Sequence, residues 1–182
     1  MERAEVYNHP VTTQPIVLFA QDEIKQAVSR LAAEIRQDYR GKCPLLIGVL
    51  KGSFIFMADL VRQINLPVEV DFIRLSSYGA TKETSGKVKV VLGLTALLKS
   101  RDVIVIEDIV DTGTTISFLM DYLQKKKPAS LKLCVLLDKP SRRQVPVTID
   151  YLGFTVPDKF IVGYGLDFDE KFRCLPDICF LD

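Results

Sequence analysis

The stretch Val103-Ile104-Val105-Ile106-Glu107-Asp108-Ile109-Val110-Asp111-Thr112-Gly113-Thr114-Thr115 decides the fold. It opens on Val103 to Ile106, an unbroken run of β-branched apolar residues, as expected of a strand covered on both faces. The adjacent carboxylates Glu107 and Asp108 follow, then Asp111, then Gly113 among Thr112, Thr114 and Thr115. Ile116, Leu119, Met120 and Leu123 recur at helical spacing, so the threonines open an amphipathic helix. One reading is a charged strand exit with Asp111 or Thr112 as helix N-cap. It accounts for one carboxylate and one hydroxyl. A ligand-binding reading accounts for the whole set. The N–H groups of Thr112 to Thr115 lie at a helix N-terminus, where the dipole favours a phosphate. Gly113 lets the backbone come close, and the hydroxyls add donors. Glu107 and Asp108 stand at the strand end, placed for a polyol or a metal-bound polyol. No G-x-x-x-x-G-K-[ST] is present, so a triphosphatase P-loop is unsupported.

The same alternation extends in both directions. Ile24, Val28, Leu31 and Ile35 mark a helix over Gln21–Arg40, with Gly41 as its C-cap. Leu45 to Leu50 is a buried strand. Phe54, Met57, Ala58, Val61 and Ile64 mark a helix, and Val68 to Leu75 is the next strand. That strand-helix-strand unit implies a parallel sheet with a right-handed crossover. Val88 to Leu92 and Leu131 to Leu137 add strands, and Lys125-Lys126-Lys127 ends the helix between them with charge suited to a C-terminus. Shorter strands follow at Ile149 to Phe154, Phe160 to Val162 and Ile178 to Leu181. The expected class is α/β, a Rossmann-like parallel sheet with flanking helices. Ligands of such sheets bind beyond the carboxyl ends of strands, at a switch point.

Composition narrows the chemistry. The 182 residues are 48% apolar and 26% charged, which excludes a disordered chain and fits one domain. No apolar run reaches the roughly 18 residues of a membrane span, and no secretory signal core follows the N-terminus. With 24 basic and 23 acidic residues the net charge is +1, so no bulk attraction to nucleic acid or membrane is expected. Cys43, Cys134, Cys174 and Cys179 form no C-x-x-C pair and read as reduced cytoplasmic thiols. His9 is the only histidine, in a polar N-terminal stretch where it reads as a bystander. Multi-histidine zinc sites are excluded, and catalysis falls to carboxylates, lysines, hydroxyls or a bound metal.

The segment Glu107 to Thr115 resembles the phosphoribosyl pyrophosphate motif of the purine phosphoribosyltransferases. Further segments are similar to the hypoxanthine-guanine branch: Gly48-Val49-Leu50-Lys51-Gly52, Arg74-Leu75-Ser76-Ser77-Tyr78, Lys139 after a buried strand, and Pro157 to Asp167, with Arg173 beyond. The resemblance spans roughly residues 16 to 182. Thr114 stands where some members carry lysine, which suggests the shorter bacterial type. The resemblance implies a single domain, residues 1–182, in which about 1–20 and 138–182 form a small hood over a purine site. It implies transfer of 5-phosphoribosyl from phosphoribosyl pyrophosphate to hypoxanthine and guanine, a purine-salvage reaction releasing pyrophosphate and a 5′-monophosphate. Glu107 and Asp108 would hold the ribose hydroxyls and magnesium, and Asp167 a second magnesium. Asp111 would be the general base, beside a 5′-phosphate loop of Thr112, Gly113, Thr114 and Thr115. Lys51, Gly52 and Arg173 would meet pyrophosphate, with a cis peptide at Leu50-Lys51. Lys139, Phe160 and Ile161 would bind the purine. A homodimer or homotetramer is expected; Cys174 has no assigned role.

Ser76 to Lys87, small or polar and long for a compact domain, reads as a lid with Ser77 and Tyr78 as its working residues. An oxocarbenium-like transition state would be hydrolysed by water, which gives a lid a chemical purpose. Two other readings compete. A nucleic-acid-binding regulator on this fold would need a basic face or added segment. A phosphatase would read Asp167-Phe168-Asp169 as its nucleophile motif, but no Thr follows at the needed spacing.

Overall fold

A computed structural model describes residues 14–77 and 88–181. His9, Tyr78 and most of the expected lid lie outside the described residues. The elements run β1 (Ile16–Phe19), α1 (Gln21–Asp38), β2 (Leu45–Leu50), α2 (Phe54–Ile64), β3 (Glu69–Ser77), β4 (Val88–Leu92), β5 (Asp102–Val110), α3 (Thr114–Gln124), β6 (Ser130–Asp138), β7 (Tyr151–Thr155), β8 (Phe160–Val162) and β9 (Ile178–Leu181). Six strands form one sheet in the order β4-β3-β2-β5-β6-β7, parallel except for β4.

The apolar runs read as strands because both faces of this sheet are covered. Leu46, Ile104, Ile106, Cys134 and Leu136 pack on α1 and α2 through Val28, Leu31, Phe56 and Leu60. Their alternate neighbours Leu45, Ile47, Val103, Val105, Leu133 and Val135 pack with Ile116, Leu119 and Leu123 of α3. The strand period of two thus divides one apolar run between two cores. Chain order leaves β2 toward β3, then returns to β5 on the other side of β2. The crevice past the carboxyl ends of β2 and β5 is therefore the switch point where ligands of such sheets bind.

By its apolar pattern the strand ends at Ile106, before the acidic pair. The structure carries β5 on to Val110, with Glu107 opposite Val135, Ile109 opposite Leu137 and Val110 opposite Asp138. Pairing with β2 stops at Ile106, but the ladder to β6 continues, so the carboxylates stand on a supported strand. A second difference is β1, which no local sequence pattern marks as a strand. Its side chains are half exposed, and it becomes a strand only through antiparallel pairing with β9. β1, β9 and β8 make a separate three-stranded sheet. It is tied to the main body by Phe19 stacked on Phe154, centroids 4.0 Å apart, and by the Gln21 N–H donating to Asp177 Oδ1 at 2.8 Å. β3 and β4 pair up to Ser77 and Val88, so Ser77 closes a strand.

Candidate active site

Two chain segments meet at the acidic end of β5, and each carries a glycine at the contact. A β-carbon on Gly52, just past β2, would overlap the Asp108 carboxylate. One on Gly165, at φ +102°, would overlap the Gly52 carbonyl. Between them they seat the β2 loop and the Gly163–Gly165 turn against the acidic strand end. The Leu50–Lys51 peptide is cis. Ser53, fully buried, donates from Oγ to the Val49 carbonyl at 2.6 Å and closes the loop behind.

A cleft of about 450 Å³ brings together Asp108, Asp111, Lys139, Phe160, Ile161 and Asp167. They come from β5, the turn before α3, the end of β6, β8 and the loop after it. Lys139 is one of two buried polar residues among those described, at 5% exposure. Its ammonium donates to the Lys159 carbonyl at 2.7 Å. Phe160 is 50% exposed, with Phe168 edge-on to it at 5.1 Å, so its ring is not a core group. Ile161 is buried beneath.

A smaller recess of about 160 Å³ adjoins it, lined by Glu107, Asp111, Thr112, Gly113 and Thr115 among others. Gly113, not Asp111 or Thr112, is the helix N-cap. It sits at φ +84°, and a β-carbon there would overlap the Val145 carbonyl, so only glycine fits. The Val145 N–H in turn donates to the Thr112 carbonyl at 3.0 Å. Thr112 Oγ1 accepts from the Thr114 N–H at 3.4 Å. The Ser117 N–H donates to the Gly113 carbonyl at 2.9 Å, so the amides ahead of Ser117 form the open N-terminal end. The first turn of α3 holds no acidic residue, whereas that of α1 holds Asp22 and Glu23. The positive end of α3 is left for an outside anion.

Burial pushes the Glu107 carboxyl well above the ordinary glutamate range, and the Asp108 charge adds to it. Burial likewise raises Asp108. Glu107 Oε2 and Asp111 Oδ1 are buried without a hydrogen-bond partner. Buried polar atoms are normally satisfied, so Glu107 Oε2 is open to an outside donor or cation, whereas Asp111 Oδ1 has a guanidinium within ion-pair distance. Among the described residues no group of three or more His, Cys, Asp or Glu side chains could cage a metal. Magnesium takes one or two carboxylates and completes its shell with substrate oxygens and water, which this donor set suits.

Lys51 and Arg173 line neither recess; Arg173 stands beside Asp167, and Lys51 reaches the neighbouring Glu170. Arg173 Nη2 lies 2.7 Å from Asp167 Oδ1, and Arg173 Nη1 donates to the Gly165 carbonyl at 2.8 Å. Two further charged residues here belong to no sequence motif. Arg142, in the Pro140–Arg142 3₁₀ turn, places Nε 3.4 Å from Asp111 Oδ1. Glu170 bridges Lys51 and Arg173. An isolated charged residue reads as surface until its neighbours are known. Of the expected lid pair, Ser77 ends β3 and Tyr78 is outside the described residues. A second cleft of about 410 Å³, lined by Asp59, Arg62 and Tyr164 among others, contains none of the expected site residues.

This fold and its acidic strand end followed by an anion-ready helix define a phosphoribosyltransferase domain, and the family model described as Phosphoribosyl transferase domain matches residues 18–169. The hypoxanthine-guanine phosphoribosyltransferase of Bacillus subtilis is 46% identical over 162 residues, 89% of this chain and 90% of that protein. The Bifunctional protein TilS/HprT of Listeria monocytogenes is equally similar, 46% over 162 residues and 89% of this chain. This chain spans only about a quarter, 25%, of that longer protein. A crystal structure of a Bacillus anthracis hypoxanthine-guanine phosphoribosyltransferase superposes with a TM-score of 0.87 at 47% identity, covering 91% of this chain and 98% of the other. The chain belongs to the hypoxanthine-guanine phosphoribosyltransferases. Among the described residues no helix is long and apolar enough to cross a membrane.

Proposed function

We propose that the protein transfers 5-phosphoribosyl from phosphoribosyl pyrophosphate to hypoxanthine, and to guanine, forming a 5′-monophosphate and pyrophosphate in cytoplasmic purine salvage. The observation that carries this is the single cleft in which Lys139, Phe160, Asp108, Asp111 and Asp167 face one another. Phe160 offers an exposed ring face for a base, with the Ile161 backbone at its edge. Lys139 offers an ammonium to an oxo group. Asp111 stands between the base cleft and the phosphate recess, where a proton leaving or reaching the base can be held. Thr112 to Thr115 and the start of α3 take the 5′-phosphate. Glu107 and Asp108 take the ribose hydroxyls. Lys51, Gly52 and Arg173 take pyrophosphate. Of the segments at about 1–20 and 138–182, β1, β8 and β9 form the hood, residues 1–13 lying outside the described residues, and Ser77 with Tyr78 works in the lid.

Glu107, Asp108 and Asp167 would hold magnesium together with substrate oxygens, and the metal would supply charge neutralisation at the diphosphate. The chain's own work is to orient the base over the ribose, exclude water and stabilise an oxocarbenium-like transition state by fixed charges. A homodimer or homotetramer is the proposed assembly, with the purine base and phosphoribosyl pyrophosphate as small-molecule partners and no nucleic acid. The test is an assay of inosine 5′-monophosphate formation from hypoxanthine and phosphoribosyl pyrophosphate with magnesium chloride. Formation of the nucleotide supports the reading, and its absence in folded protein rejects it.

A further inference from the structure

Glu170 lies between the cations assigned above to pyrophosphate. Its Oε1 accepts from Lys51 Nζ at 2.7 Å and its Oε2 from Arg173 Nη2 at 3.1 Å. Lys51 comes from the loop after β2 and Arg173 from the segment before β9, so one carboxylate joins segments far apart in the chain. The Lys51 ammonium, followed by the Arg173 guanidinium, holds the Glu170 carboxyl below the usual glutamate range. The Glu170 N–H donates to Asp167 Oδ2 at 2.9 Å. Asp169 and Glu170 both have left-handed backbone, at φ 52° and 59°. Arg173 is 19% exposed, whereas the Glu170 side chain is 65% exposed.

We infer that Glu170 is an internal stand-in for pyrophosphate, a carboxylate that occupies the anion position between Lys51 and Arg173 and must swing out before a diphosphate can engage them. The inference rests on the pyrophosphate assignment of the proposed function. Arg173 already pairs with Asp167 Oδ1 at 2.7 Å, and the Lys51 ammonium converging beside it adds a second positive charge that draws a further anion to the space between them. A carboxylate giving one oxygen to each reproduces what two phosphoryl oxygens would offer. The contact is easily surrendered, because ion pairs on so exposed a side chain are weak. A tethered competitor lowers apparent affinity by the fraction of molecules in which the cations are free. It also returns to the cations as product pyrophosphate leaves. Glu170 is thus a positioning residue for substrate entry and product exit.

Glu170→Gln keeps the shape and removes the charge. Calorimetric titration with inorganic pyrophosphate, magnesium chloride present throughout, should show the variant binding about threefold to tenfold tighter than the parent protein. KM for phosphoribosyl pyrophosphate should fall in parallel, with KM for hypoxanthine and affinity for inosine 5′-monophosphate unmoved. Glu170→Asp, one methylene shorter, should fall between. Equal or weaker pyrophosphate binding by Glu170→Gln, in a protein whose parent binds pyrophosphate and forms nucleotide, overturns the inference alone. A parent that neither binds pyrophosphate nor forms nucleotide overturns the site reading and the inference together.

Discussion

Gly52 lies so close to Asp108 that a β-carbon would enter the space of the carboxylate. The loop after β2 and the acidic end of β5 therefore act as one surface, the first carrying Lys51 and the second Asp108. Gly52→Ala should force them apart without disturbing the sheet, whose β2–β5 pairing ends at Gly48 and Ile106. Displacements of about 1 Å at a reacting site cost on the order of 10²-fold. We expect a loss of that order in kcat/KM for phosphoribosyl pyrophosphate with an unchanged thermal midpoint. An active Gly52→Ala variant would refute the coupling.

Asp111 offers a sharper test of the chemistry. One of its oxygens is buried and without a hydrogen bond, and the nearest cation is Arg142 Nε at 3.4 Å. Asp111→Asn keeps the shape and leaves the Gly113 cap intact. Turnover should fall on the order of 10²-fold or more, while inosine 5′-monophosphate still binds. Single-turnover kinetics with an equilibrium titration of the nucleotide separates the two effects. Full turnover would remove Asp111 from the mechanism.

How far the sequence could be read follows from what each element needs. Val103 to Ile106 was legible because helices cover both faces of β5, making every residue apolar. The extension through Glu107 to Val110 was not, because it depends on β6 as a partner. β1 depends in the same way on β9, at the far end of the chain. Phe160, taken in isolation, fits a core strand, and its exposure emerges only from the β8–β9 hood. Arg142 and Glu170 carry no local pattern, and only the folded neighbours Asp111, Lys51 and Arg173 reveal them.

A network away from the site contributes to acid stability. Asp38 Oδ2 accepts from Lys132 Nζ at 2.8 Å and from the Tyr151 hydroxyl at 2.6 Å. The Lys132 ammonium and then the Tyr151 hydroxyl hold the Asp38 carboxyl below its ordinary value of 3.8. A carboxyl depressed in the folded state adds stability above its unfolded value, and that stability is lost as pH falls through the folded one. Asp38 is 43% exposed, so screening limits the term to about 1 kcal/mol at most. Asp38→Asn should lower the urea midpoint at pH 7 by that small amount. The parent's advantage should shrink as pH falls below the ordinary carboxyl value of 3.8. A gap that stays constant through that acid range would contradict the assignment.

The last prediction concerns the choice of base. Lys139 follows β6 directly, its N–H donating to the Val110 carbonyl at 3.0 Å, so its position is fixed by the acidic strand. Its ammonium is buried in the cleft and gives one proton to the Lys159 carbonyl at 2.7 Å. An ammonium carries three donors and no acceptor, so it has protons left for a substrate. Hypoxanthine and guanine present an oxo group that can accept one. Adenine presents an amino group, donor against donor, and would bury both without a bond. Sites built on a substrate hydrogen bond discriminate by roughly 10⁴–10⁵. Adenine should therefore be a very poor substrate. Lys139→Gln offers a donor and an acceptor, so it should cost hypoxanthine activity and narrow the gap. The measurement is kcat/KM for both bases with both proteins. Comparable use of adenine and hypoxanthine by the parent would remove Lys139 from specificity and the 6-oxopurine assignment with it.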